Sequence, residues 1–333
     1  MRKLYFLVPG LGGKFACGGL FAELKTLTLA QQICQAEAVT YRQREPNTPF
    51  LNDVLQKDTS DRAIFVISWG FDIPKLAARL KGYPVVYHAH SAGYGFQIPP
   101  SIPIITVSRN TLGYWGQIAP HSLLYYLPNQ ISDEFTNQNL NRDIDVLVQV
   151  RKSSHYLLNE LIPELKQHCN VFVVDSFVDN LPALFNRAKV YLYDSAEYWA
   201  IQRVSEGFGL QPMEAMACGC QVFSSVNGGL SDYLDPGFNC YKIAGYSRDF
   251  DVQRILHVVK SGHTFDIPNS LFEEYRTANI VQRFSVILND INLFFDQKAI
   301  AQYPIPPLTP LVLMQRSLSK TWSKVQSKLQ RKR

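Results

Sequence analysis

The 333-residue chain contains no apolar run near the roughly 18 residues that a membrane-spanning helix needs. That lack excludes a helical span and leaves only surface contact with a bilayer. Its six cysteines, Cys17, Cys34, Cys169, Cys218, Cys220 and Cys240, follow no repeated spacing. Neither a disulfide framework nor a zinc knuckle is expected, and the thiols read as reduced and cytoplasmic. No secretory leader is expected either, because the apolar stretch Leu4 to Val8 meets Pro9-Gly10 too soon and suits a buried first strand better. No paired-Asp metal motif is present, and the loop PGLGGKF fails both the dinucleotide fingerprint and the Gly-Lys-Ser/Thr phosphate loop. Positive charge is scarce outside the C-terminus. Arg316, Lys320, Lys324, Lys328, Arg331, Lys332 and Arg333 are seven of the 33 basic residues, in a segment without acid, which leaves 26 against 28 acidic ones. A body so close to neutral argues against a nucleic-acid partner.

What the chain does have is material for two cores: 46% apolar residues, 18% charged, and a length that suits two domains at roughly 150 residues each. Short apolar runs recur at LYFLV (4–8), AIFVIS (63–68), PVVYHA (84–89), PIITVS (103–108), DVLVQV (145–150), NVFVVDSF (170–177), KVYLYDS (189–195) and CQVFSSV (220–226). Helical patterns such as GLFAELKTLTLAQQI, DIPKLAARL and NLPALFNRA lie between several of them. Apolar strands alternating with helices predict parallel sheets in an α/β protein. The polar, Asn-rich stretch PNQISDEFTNQNLNRD (128–143) marks the linker. It divides residues 1–139 from 140–300, with 301–333 as a tail. Ligands of such sheets bind beyond the C-terminal strand ends, so residues just after strands are the functional candidates.

One stretch after a strand carries concentrated chemistry: SEGFGLQPMEAMACGCQVFSSVNGGLSDYL, Ser205 to Leu234. Glu206 precedes a glycine turn, and Glu214 lies inside a helix expected to start near Pro212. Gly207 and Gly209 allow the backbone close to a ligand, a helix N-terminus attracts phosphate, and two carboxylates can accept hydrogen bonds from sugar and ribose hydroxyls. The string matches every letter of E-G-F-G-L-x-x-x-E-A-M-A-x-G, and so resembles the donor domain of the retaining family 4 glycosyltransferases with the GT-B fold. The resemblance implies two Rossmann-like parallel-sheet domains facing across a cleft. It gives Glu214 the donor ribose, Glu206 the donor sugar or phosphates, and Gly207-Phe208-Gly209, followed by Leu210, the place over the sugar.

Weaker similarities lie elsewhere. LPNQISDEF resembles the family's interdomain crossing, with Gln130 in place of a glycine, and Gly18-Gly19 resembles an N-terminal Gly-Gly loop that lies against the donor phosphates. Relatives carry a histidine after the strand that here reads VVYHAH; His90, at the strand end, is the preferred counterpart, with His88 the alternative pointing into the core. Asn227-Gly228-Gly229 is similar to a turn that precedes an acid in relatives; Asp232 is either that acid or part of a plain turn. The family's phosphate-gripping Arg and Lys are altered: Arg151 and Lys152 stand side by side without the flanking glycines. Arg151 is the expected diphosphate ligand, and Lys152 either a second cation or a solvated neighbour.

The resemblance implies a metal-independent transferase without cofactor, moving a sugar from a nucleoside-diphosphate sugar to an acceptor hydroxyl, with Glu206 and His90 at the reacting centre. A nucleotide-sugar epimerase and a non-catalytic nucleotide-sugar sensor are the rivals. In the tail, Met314, Leu318, Trp322, Val325 and Leu329 share one helical face opposite Lys320, Lys324, Lys328 and Arg331. Residues 314–333 thus read either as a helix on an anionic membrane surface, bringing the enzyme to a glycan or lipid-linked acceptor, or as a helix packed on the body.

Overall fold

A computed structural model describes residues 1–57, 63–243, 247–262, 264, 265, 267–300, 309–315, 317–319 and 322. They form two compact units, residues 1–292 and 293–333.

The first unit opens with β1 (Lys3–Val8), α1 (Gly18–Gln31), β2 (Ala36–Thr40), α2 (Leu51–Leu55), β3 (Ala63–Ile67), α3 (Ile73–Arg79), β4 (Val85–Ala89), β5 (Ile104–Thr106), α4 (Arg109–Ile118) and β6 (Leu124–Tyr126). These strands make a parallel sheet in the order β2-β1-β3-β4-β5-β6. Period-two alternation sends Tyr5, Leu7, Phe65, Ile67, Val85 and Tyr87 to one face, against α2, α3 and the buried Trp115 of α4. Leu4, Phe6, Ile64, Val66, Val86 and His88 face the other way.

A second sheet is built from β7 (Ile144–Gln149), a π-helical turn Leu157–Leu161 leading into α5 (Ile162–Leu165), β8 (Val171–Val174), α6 (Leu181–Arg187), β9 (Ala188–Tyr193), α7 (Ala196–Gln202), α8 (Leu210–Ala217), β10 (Gln221–Ser224), β11 (Tyr241–Lys242) and α9 (Arg248–Ser261). It is parallel, in the order β11-β10-β9-β7-β8. Leu147, Tyr191 and Val222 pack on α6 and α8, while Val146, Val148, Val190 and Leu192 pack on α5 and α9.

The chain crosses between the sheets twice. Residues 127–143 go forward; α10 (Ser270–Glu273) and the start of α11 (Thr277–Ile300) return. The two crossings are tied together by Ile131 N–H to Tyr275 O at 2.9 Å, Gln130 Nε2 to Thr277 Oγ1 at 2.7 Å, and Arg276 to the carbonyls of Ser132 and Phe135, both at 2.8 Å. Gln130, which replaces the glycine of the family pattern, is therefore a buried tie. Phe284 and Leu288 of α11 then line a small cavity with Leu4, Phe6, Ile64, Val66 and Thr26, so α11 joins α1 in covering the first sheet. The sequence reading assigned this helix to the second domain; its apolar face meets the first sheet.

Among the described residues no helix is long and apolar enough to cross a membrane. In the second unit, Met314, Leu318 and Trp322 are exposed. Lys320, Lys324, Val325, Lys328, Leu329 and Arg331, the rest of the expected amphipathic helix, lie outside the described residues.

Candidate active site

In each sheet the strand order reverses once, between β1 and β3 and between β9 and β7. Loops after these strands diverge and leave room for a ligand. After β1 the chain runs through a 3₁₀ turn, Gly13–Phe15, into α1, whose N-cap Cys17 is extended and offers no side-chain cap. The first N–H groups of this 14-residue helix thus lack a capping side chain, and nothing stands within 4 Å of a Cβ built on Gly18. Gly18 and Gly19 leave that N-terminus approachable for an anion.

After β7, Lys152 takes a left-handed conformation (φ 68°), and the loop is pinned by Ser154 Oγ donating to Asp194 Oδ2 at 2.6 Å. The Lys152 ammonium lies 4.5 Å from the Trp199 ring centroid and 3.7 Å from Glu206 Oε1. Glu206 Oε2 accepts from Tyr193 Oη at 2.5 Å and Trp199 Nε1 at 2.6 Å. Glu206, expected to meet the donor sugar or phosphates, has Oε2 taken by two donors from its own domain, while Oε1 has only the ion pair with Lys152. Arg151, the preferred phosphate ligand by sequence, is exposed and makes no ion pair or hydrogen bond with the described residues. Lys152 holds the inner position because the tight turn at its α-carbon directs it toward Glu206.

Glu214 differs. It lies in α8, is only 6% exposed, and its carboxylate has no hydrogen-bond partner among the described residues. Burial raises it from 4.5 to about 7, with Lys25 of α1 pulling it down and Glu134 of the forward crossing pushing it up. It therefore lies within reach of charges from the first domain and from the crossing. The helix begins at Leu210 rather than near Pro212, because Gly209 (φ 77°) lets the chain turn in early. Leu210 packs at the core edge, and the Phe208 side chain is core, 5.5 Å from both the Tyr233 and Tyr275 rings.

The glycines of this stretch are filled against by the chain itself. A Cβ on Gly207 would overlap the carbonyl oxygen of His90, and one on Gly209 would overlap Leu230. Gly229 donates from its N–H to Glu206 O at 2.8 Å, and a Cβ there would overlap the Gly207 carbonyl. The domains are joined at this point: Ser91 Oγ donates to Ser205 O at 2.5 Å, Ala92 N–H to Ser205 Oγ at 3.1 Å, and Ser205 N–H to Ala92 O at 3.0 Å. Asp232 serves the same junction, accepting from the Arg109 N–H at 2.6 Å at the start of α4. Partial burial raises its carboxyl, and hydrogen bonds from the backbone of Arg109 and Asn110 oppose that rise.

His88 and His90 share an unexpected partner. Glu23 Oε2 lies 2.6 Å from His88 Nδ1 and 2.7 Å from His90 Nε2. These three residues are also a set whose donor atoms fall within 4.8 Å of one another. Ligands around a tetrahedral zinc stand about 3.3 Å apart at bond lengths near 2.0 Å. The separations of 2.6 and 2.7 Å here are shorter and are those of a hydrogen-bonded triad.

Sequence reading missed Glu23, Lys25, Tyr193 and Trp199. Glu23 and Lys25 sit in a helix whose pattern was read for its apolar positions. A buried acid on that apolar helix, following a Gly-Gly start, was the available signal; Tyr193 and Trp199 carried none.

A family model described as "Glycosyl transferases group 1" matches residues 152–264, a span that contains Lys152, Glu206 and Glu214. No curated protein sequence matches the chain significantly. Among solved structures the chain is similar to HepE from Anabaena in complex with UDP-glucose, at 15% identity over 87% of this chain and 100% of that one, with a TM-score of 0.62. It is also similar to sucrose-phosphate synthase from Thermosynechococcus elongatus, at 13% identity over 90% and 98% of the two chains, with a TM-score of 0.57. A glycosyltransferase from Rickettsia africae gives 13% identity over 90% and 97%, with a TM-score of 0.55. The architecture is the GT-B fold, two Rossmann-like α/β domains with parallel sheets.

Proposed function

We propose that this chain is a retaining family 4 glycosyltransferase that moves a sugar from a nucleoside-diphosphate sugar to an acceptor hydroxyl, in the synthesis of a glycan or glycolipid. The observation that carries the reading is Glu214: a buried carboxylate with no hydrogen-bond partner among the described residues, facing Lys25 and the crossing, has acceptor capacity to offer a pair of ribose hydroxyls. The family match over residues 152–264 supports the same donor-side assignment. HepE was crystallised with UDP and with UDP-glucose, which makes UDP-sugars the first donors to test.

In this reading the donor diphosphate lies between the N-terminus of α1 at Gly18-Gly19 and the cations Lys152 and Arg151. Together they offset the charge that grows on the leaving diphosphate, the basis for a reaction without metal. Glu206 anchors Lys152 toward the phosphates through the contact at 3.7 Å. His90, on the first-domain side, faces the acceptor. Closure of the domains keeps water from the donor.

The test is calorimetric titration of UDP-, GDP- and ADP-sugars into the protein and into Glu214→Gln. Selective binding that the substitution weakens supports the reading; equal binding by both proteins overturns the donor site. Product analysis then separates a transferase, which forms a glycoside only with an acceptor, from an epimerase, which turns over without one, and from a sensor, which binds without turnover. Peripheral membrane attachment through residues 314–333 is part of the proposal on sequence grounds. Co-sedimentation with anionic vesicles, compared between the full chain and one ending at residue 313, tests it.

A further inference from the structure

We infer that Glu23 is a positioning residue that sets the tautomer and basicity of His90 for the acceptor hydroxyl, an inference that rests on the transferase reading above. Glu23 projects from α1 and is 2% exposed. His88 and His90 stand two residues apart at the end of β4, so both rings fall on the face that α1 covers. A carboxylate oxygen only accepts, so the contacts of 2.6 and 2.7 Å place a hydrogen on His88 Nδ1 and on His90 Nε2. Burial would favour the neutral acid, yet the charges and hydrogen bonds of the two rings outweigh it and hold Glu23 down at about 2.

The rings then differ. His88 Nε2 is buried without a partner, in keeping with a structural role beside the small cavity. His90 is 16% exposed, and with Nε2–H committed to Glu23 its Nδ1 is the nitrogen left with a lone pair. That nitrogen can accept a hydrogen bond from an acceptor hydroxyl. The His90 carbonyl lies against Gly207, so the ring is held at the junction with the donor domain by its own main chain. Burial and the neighbouring His88 lower His90, while Glu23 raises it; among the described residues these two are the titratable groups that act on it. Substituting the carboxylate removes both the negative charge and the anchor that selects Nε2–H.

The test is nitrogen-15 NMR of the histidine rings in the full chain and in Glu23→Gln, over pH 5 to 9. The expected result is an Nε2–H tautomer for neutral His90, lost or mixed in Glu23→Gln, with the His90 titration falling by about one pH unit or more. In turnover with a binding donor, kcat is expected to fall at least tenfold, with its acidic limb moved to lower pH and the donor KM within twofold. An Nδ1–H tautomer for neutral His90 in the unaltered protein overturns the inference without any variant. An unchanged tautomer and titration in Glu23→Gln, or an activity loss with an unmoved pH profile, overturns it as well. Failure of the unaltered protein to bind any nucleotide sugar sinks the transferase reading instead, and leaves the ring measurement standing.

Discussion

Glu206 and Glu214 lie eight residues apart in one motif and are almost equally buried, 4% and 6% exposed, yet their surroundings are opposite. Glu206 meets a phenol, an indole N–H and an ammonium from its own domain. Glu214 has none of these and is pushed up to about 7 by burial. Glu206 Oε2 is held within the domain, and Oε1 faces the Lys152 ammonium. A buried carboxylate without hydrogen-bond partners is costly to ionise, and a ligand's hydroxyls are one way to complete it. In the reading proposed above, the motif holds a brace and a socket side by side.

The comparison breaks most readily at the brace. Glu206→Ala leaves the Tyr193 hydroxyl and the Trp199 N–H unpaired and frees Lys152, and is expected to lower stability by about 4 kcal/mol, read from urea unfolding. At the socket the sign reverses. Glu214 binds its proton more tightly folded than unfolded, so its contribution is most favourable below pH 4.5 and declines as pH rises through about 7. Glu214→Gln is therefore expected to raise stability at pH 8 by up to about 3 kcal/mol. The same variant should lose about 100-fold in nucleotide-sugar affinity by calorimetry. A loss of stability at pH 8 would show that Glu214 is a second brace.

A subtler probe is pH. Ribose hydroxyls favour the ionised carboxyl, so donor affinity should rise about tenfold from pH 6 to pH 8, with proton release visible as a buffer-dependent heat. Glu214→Gln should abolish that dependence. Smallest of all, Trp199→Phe keeps a ring under Lys152 and removes one donor to Glu206. Its expected cost is about 1 kcal/mol in stability, with donor affinity within threefold.

The legibility of the fold in the sequence follows burial. Every strand with neighbours on both sides was visible as an apolar run, and so was the edge strand β8. The strands that escaped, β2 (AEAVT), β6 (LYY) and β11 (YK), are edges of their sheets and carry little or no fully buried apolar sequence. For the site, Glu206 and Glu214 stood out because a local string carries them, but their division of labour depends on Tyr193 and Trp199, whose meeting with Glu206 only the fold brings about. Glu23 was hidden for a related reason: its partners lie 65 and 67 residues away, on a strand that periodicity could place but not orient toward α1. Sequence ranked Arg151 above Lys152, but the left-handed backbone at Lys152, which accompanies its approach to Glu206, is not legible in the sequence.

The return of α11 to the first sheet bears on how the protein is made. Ribosomes release the N-terminal strands first, but Leu4, Phe6, Ile64 and Val66 line a cavity with Phe284 and Leu288, which emerge after every strand of the second sheet. During translation the first sheet waits half-clothed, with one apolar face covered by α1 alone, while the second domain can complete its own two layers. That face of the first sheet is therefore completed only by residues made after those of the second sheet.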